Sequence, residues 1–270
     1  MPSAARPTAA AVGAVIVTAF GALALLAPLL APADPNEQDL LAALAGPSAR
    51  HWLGTDALGR DILSRIVYGA QFEMAIVLPS VLLAAALALP FGLMSGYLGK
   101  WADRIISTLS DSLLTFPALV IAIVLVSVLG TGVLPLAVTL IVTQAPQMVR
   151  YLRGFTRQVA SSQYILAARA AGSRLPTIIG RHVLRNIIGP MLVILSLFAS
   201  EALLVIAALG FLGIGVQPPT PEWGTMLSEG RADFIANPHV MIFPGLAIAV
   251  LILGFNLLGD GLRDRLDNRN

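Results

Sequence analysis

Any chemistry in this chain would centre on Glu201. It stands in SLFASEALLVIAALG and is the only ionisable residue expected deep within an apolar span. A carboxylate at that depth is costly and by default marks a polar path or a partner. It can also stay protonated or bond a neighbouring helix. Thr143, Gln144, Gln147 and Ser200, with Thr139 and Ser196, fall at similar depth and either share such a path or tie helices together. An enzyme built on Glu201 would need a second group, such as a histidine. His51, His182 and His239 all lie outside the expected spans, are too scattered to pair on a metal, and form no HExxH. No GxxxxGK[ST] occurs, so the chain lacks a P-loop and any ATP hydrolysis must come from another polypeptide. With no cysteine, disulfides and thiolate sites are excluded.

A second cluster of functional groups is basic. Residues 150–186, RYLRGFTRQVASSQYILAARAAGSRLPTIIGRHVLRN, carry seven arginines and no acid, between two apolar runs of membrane length. Such a loop is retained on the cytoplasmic side. Lying beside spans and without interleaved aromatics, it does not suggest nucleic acid. Within it, Tyr164 to Gly172 combines helix formers with a terminal glycine and predicts a short helix with a C-terminal stop. Ala167, Ala168 and Ala171 give that helix a face with almost no side chain, to which another protein can come close. We read it as a docking helix.

These groups must be positioned by membrane helices. Of 270 residues, 57% are hydrophobic and 12% charged, with mean hydropathy +0.82; soluble domains carry about 25% charged residues. Runs near the spanning length of about 20 residues predict an all-α membrane protein with six transmembrane helices at 11–30, 73–96, 113–130, 133–149, 187–214 and 241–259. The first run ends in a signal-peptidase-like Ala31-Pro32-Ala33, but its length favours a retained span. With the arginine block inside, both termini and 97–112 are cytoplasmic, while 31–72 and 215–240 are outside. Thirteen of the 17 basic residues then lie inside and four outside, the bias expected of a membrane protein. In the first outer loop, Thr55 or Asp56 is a candidate cap for a short amphipathic helix at the membrane surface. Its apolar face would be Ile62, Leu63, Ile66 and Val67, with an Asp61–Arg65 pair. In the second, Pro218, Pro219, Trp223 and Gly224 lie in a stretch that reads as an interfacial anchor or as a re-entrant segment shaping the outer mouth. Prolines recur at membrane depth and suit bent helices in a bundle that changes shape.

Several stretches together resemble one family. Tyr164 to Gly172, with Ile178-Ile179 and His182-Val183-Leu184, resembles the EAA loop of bacterial ABC importer permeases. HWLGTDALGRDILSRIVYGA (51–70), GYLGKWADRIISTLSDSLLTFP (96–117), GFLGIGVQPPTPEWGTMLSEGR (210–231) and FNLLGDGLRDRLD (255–267) resemble the C-type permease subunit of dipeptide, oligopeptide and nickel importers. The resemblance implies a type I importer fold in the bacterial inner membrane. It divides the chain into an N-terminal helix and outer loop (1–70), a permease domain (71–260) and a cytoplasmic tail (261–270). It also implies a homologous partner permease, two ABC ATPases that hold ATP and Mg on the cytoplasmic side, surrounding lipid, and an extracytoplasmic substrate-binding protein. Tyr164, Leu166, Ala167, Ala168, Ala171, Gly172 and Ser173 would then form the ATPase-coupling loop. Leu166 stands where the family usually has Glu, and Arg185 where it usually has Pro. The wording QPPTPEWGTM favours a dipeptide or oligopeptide cargo; nickel or another small cargo of the family is the alternative. A membrane-embedded enzyme, or a channel needing no ATPase, are readings of other classes.

Overall fold

A computed structural model describes residues 6–267. Arg269, counted above among the cytoplasmic basic residues, lies outside them. Among the described residues every regular element is helical, and one isolated bridge pairs Thr55 with Asp61. Lipid offers no partner to a backbone N–H, so spanning segments must satisfy their own hydrogen bonds.

The chain opens with α1 (Arg6–Leu25) and one further turn, α2 (Ala27–Leu30). The outer loop leads into α3 (Ile62–Leu98), which continues unbroken through Pro79 and Pro90. At 37 residues it is about 55 Å long, well beyond the ~30 Å of a hydrocarbon core. The expected surface helix at 61–68 is therefore the outer end of a spanning helix, and α3 runs straight through position 70. Its cap is Asp61, whose carboxylate accepts from the Ser64 amide at 2.8 Å. Neither Thr55 nor Asp56 caps it, and the expected Asp61–Arg65 pair is replaced by other partners described below.

Residues 97–112, expected as a connection, fold into the amphipathic α4 (Lys100–Leu114), and α5 (Ala118–Leu129) follows after an 82° bend. Pro117 sits at the bend as the N-cap of α5. The long α6 (Val133–Ala160) then carries the chain three turns past the expected end of its span, to the short α7 (Gln163–Ala170). One turn, α8 (Leu175–Thr177), and a π-helical stretch (Ile178–Val183) run into α9 (Leu184–Phe211). The second outer loop holds α10 (Trp223–Glu229), and α11 (His239–Asp267) closes the fold.

Among the described residues, α3, α6, α11 and the run Leu175–Phe211 are long and apolar enough to cross a membrane. The α4–α5 pair, bent where the span 113–130 was expected to run unbroken, would be a fifth if it crosses as one broken span, and Ala9–Leu25 is a shorter apolar helix, a set roughly consistent with the six expected helices.

Small residues let the helices meet closely, as membrane packing requires. A Cβ on Gly13 of α1 would stand 2.4 Å from the Leu258 amide nitrogen of α11, and one on Gly261 would overlap Ala10. Gly92 and Gly96 of α3 press on Leu152 and Thr156 of α6 in the same way. Since backbone cannot give way as a flexible side chain can, Gly13→Val should destabilise the fold by about 1–3 kcal/mol. A Cβ on Gly154, inside α6, meets nothing within 4 Å, so Gly154→Ala should cost nothing. Thermal unfolding of the two purified variants in detergent checks the contrast.

Candidate functional site

The arginine-rich loop displays α7. Ile165 is fully buried and anchors the helix. Tyr164 and Leu166 are about half exposed, Ala167, Ala171 and Gly172 are exposed, and Ala168 and Ser173 are half-buried. Gly172 adopts φ +79°, and the Ser173 amide donates to the Ala168 carbonyl at 3.0 Å, closing the helix with a left-handed turn. A side chain at Gly172 would meet nothing within 4 Å. The helix is nevertheless held firmly from behind. Arg169 donates to the Tyr97 hydroxyl at 2.8 Å and lies 4.5 Å over its ring, and Tyr164 rests beside His182. The result is a small, exposed knob fixed to the end of α3.

The other arginines divide by role. Arg153 and Arg157 of α6 both donate to Asp103 of α4, at 2.9 and 2.7 Å, and Ser95 of α3 donates to the same carboxylate at 2.6 Å. Burial alone would raise the Asp103 carboxyl. The hydrogen bonds from Arg153 and Ser95 and the charges of both arginines outweigh it and lower its pKa to about 2. Arg150, Arg174, Arg181 and Arg185 are exposed and form no ion pair among the described residues.

The expected path residues separate into two groups. A cavity of about 860 Å³ lies between the α4–α5 bend and α6, lined by Phe116, Pro117, Thr143, Gln147, Arg150 and Tyr151 among others. A second, of about 160 Å³, shares Gln147 and Tyr151 and reaches Leu197, Phe198 and Glu201 of α9. Glu201, Gln147 and Thr143 thus line open space. Gln144 and Ser200 do not. Gln144 Nε2 donates to the Phe198 carbonyl at 2.9 Å, and the Ser200 hydroxyl donates to Asn256 Oδ1 at 3.0 Å, so both tie helices together. No histidine lines the Glu201 cavity. His51 pairs with Asp61 and His239 contacts the Thr55 carbonyl, both in the outer loops.

The two loops expected outside lock together. Arg60 reaches Asp56 at 2.6 Å and Glu229 at 2.8 Å, while Arg65 reaches Glu229 at 3.1 Å and Asp56 at 3.6 Å. Both arginines are buried, and buried charge must be paired. This four-residue cluster takes the partner that Asp61 was expected to hold. Trp223 is enclosed by the protein itself. It is fully buried, its indole donates to the Ile66 carbonyl at 3.1 Å, and Phe20 meets its face edge-on at 5.7 Å. Gly224 is buried against Ala207 of α9, whereas Pro218 and Pro219 stay exposed. Glu222 caps α10 by accepting from the Gly224 and Thr225 amides, each at 2.6 Å, and burial pushes its carboxyl up. Glu73 of α3 lies fully buried beside it. Glu201 is therefore not the only acid within a span. Glu73 stood at the edge of an expected span, and nothing in its local pattern paired it with an acid 149 residues away.

The Asp103 clamp gives a signed prediction. A carboxylate with a depressed folded pKa adds stability above its unfolded value near 4 and loses it only as the pH falls toward 2. Asp103→Asn should therefore lower stability equally at pH 7 and pH 5, by about 1 kcal/mol, because Arg157 is half exposed and screened. Melting temperatures of both forms at the two pH values test this.

Comparison with known proteins adds the following. Residues 88–270 match the family described as "binding-protein-dependent transport system inner membrane component", and residues 6–47 match "N-terminal TM domain of oligopeptide transport permease C". The chain is 41% identical over 258 residues to a dipeptide transport system permease protein, DppC, of Alkalihalophilus pseudofirmus, covering 96% of this chain and 85% of that protein. It is 43% identical over 247 residues to a glutathione transport system permease protein, GsiD, of Pectobacterium atrosepticum, covering 91% and 82%. The GsiD of Escherichia coli O157:H7 is 41% identical over 263 residues, covering 97% and 87%.

Proposed function

Because the chain belongs to the binding-protein-dependent transport system inner membrane components, the permeases of ABC importers, we propose that it forms half of an ATP-driven path for small peptides. Its partners are a homologous permease that completes the path, two ATPases that hold ATP and Mg, and an extracytoplasmic protein that delivers cargo. Both termini and the arginine-rich loop face the cytoplasm. The relatives named for dipeptide and for glutathione transport both handle short peptides, and the two cavities along α6 offer space of that order.

The observation that carries this reading is α7: exposed, almost bare of side chains along Ala167, Ala168 and Ala171, and fixed behind to α3 through Arg169 and Tyr97. Such a knob can receive force from a partner and pass it to the spans. Leu166 stands half exposed where the family usually has Glu, so the contact made there is apolar rather than charged. ATP can drive a change only if the ATPases bind one arrangement of the spans better than the other. A close-fitting docking contact supplies that difference.

Bulky side chains on the knob should uncouple the pump. Ala168→Trp and Gly172→Val, in the complete assembly in proteoliposomes, should cut ATP-driven dipeptide uptake by about tenfold or more, the loss expected when a central interface contact is spoiled. The permease pair should still assemble. Uptake equal to wild type in both variants would remove α7 from the coupling path.

A further inference from the structure

Glu201 sits near the middle of α9, half-buried, with its side chain on the smaller cavity. It has neither an ion pair nor a side-chain hydrogen bond among the described residues. A carboxylate held at that depth needs water or a cation to stay charged. The cavity meets this need only in part, since Gln147 and Tyr151 are the other lining residues with polar side-chain groups and Ile194, Leu197 and Phe198 are apolar.

Gln147 and Tyr151 also line the larger cavity, which continues to Arg150. Residues 147, 150 and 151 share one face of α6, at helical spacing. Gln147, Arg150 and Tyr151 therefore form a polar stripe along one turn of α6, with an unpaired acid beside Gln147 and Tyr151 and an exposed, unpaired guanidinium on the larger cavity. Its polarity is that of a zwitterion. A cargo carrying only negative charge would be repelled at Glu201. A bare divalent cation would demand several oxygen ligands, and one carboxylate beside one amide falls short of that. A peptide with a free amino terminus and a free carboxyl terminus satisfies both ends.

Resting on the transport reading above, we propose that Glu201 receives the free α-ammonium group of a peptide in transit, flanked by Gln147 and Tyr151, and that Arg150 receives its carboxylate in the larger cavity. The chain then helps to select its cargo and is not a neutral conduit behind the delivery protein.

The test uses the complete assembly in liposomes, with dialanine and N-acetyl-dialanine as probes. Each is supplied at a concentration that saturates the delivery protein, so that the maximal uptake rate reports the membrane step. Wild type should move the free amine about tenfold faster, as expected for one charge-assisted contact. Glu201→Gln should bring the two rates within about twofold, and Glu201→Asp should restore most of the preference. Arg150→Gln should keep the preference for the free amine while losing that for dialanine over its C-terminal amide. Equal rates in wild type, or an unchanged ratio in Glu201→Gln, would overturn the inference and leave the transport reading standing. So would failure of Glu201→Gln to assemble with the partner permease, which would make the carboxylate a tie between subunits. If wild type moves no peptide with ATP, the transport reading falls and this inference falls with it.

Discussion

The close contact between α3 and α6 is the constraint from which the half of the molecule that carries α7 is built. Gly92 and Gly96 leave room for Leu152 and Thr156 to press on the α3 backbone, where any Cβ would intrude to 2.5 or 2.6 Å. In lipid there is no hydrophobic drive to pull helices together, so contact of this kind, with a few polar ties, must hold them. The polar ties lie at the same level, beside those glycines. Ser95 and the pair Arg153–Arg157 meet on Asp103, and Tyr97 meets Arg169. Apolar packing and ionic clamps therefore act on the same two helices, and α7 hangs from their shared end.

That arrangement explains how a helix of only eight residues is held in place. Alone, so short a helix would be marginal in water. Here Ile165 is buried, the Gly172 turn is closed by the Ser173 amide, and Arg169 is stacked on α3. A push on the exposed alanine face is resisted by the whole α3–α6 pair. On the outer side the Arg60–Arg65–Asp56–Glu229 cluster fastens the start of α3 to α10. The same long helix thus carries a clamp near each end, with α7 at one and the outer loops at the other.

The sequence made most of the apolar helices and the short helix before Gly172 legible, because hydropathy and a terminal glycine act locally. It was less informative wherever distant segments meet. The 61–68 stretch looked like a surface helix because its polar residues face other loops, and those loops are invisible to a local pattern. Asp61 and Arg65 have the spacing of a pair, yet Glu229 and Asp56 take the arginine, and Asp61 turns back to cap Ser64. Trp223 has the composition of a headgroup anchor but fills a pocket against Phe20 and Ile66. Of the polar residues at membrane depth, the chain order could not separate Gln147, which lines both cavities, from Gln144, which binds the Phe198 carbonyl.

The separation of Gln144 from Gln147 also indicates which walls of the path can move. Side chains three apart on a helix are offset by about 60°, so α6 can direct one amide into a helix contact and the other into open space. Leu152 and Thr156 lie on the face locked to the glycines of α3, whereas Gln147, Tyr151 and Gly154 face the cavity. Turning α6 on its axis would drive those locked side chains into the α3 backbone, so α6 must travel with α3 as one rigid pair. Any change in the shape of the cavity must then come from its other walls: the α4–α5 bend at Phe116 and Pro117, and α9 at Leu197 and Glu201. The bend is fastened to the rigid pair through Asp103, close to where α7 is also attached. A displacement of α7 would therefore bear first on the clamp that sets the position of one cavity wall. In a fold whose interior packing is too close to deform smoothly, that wall shifts as a unit.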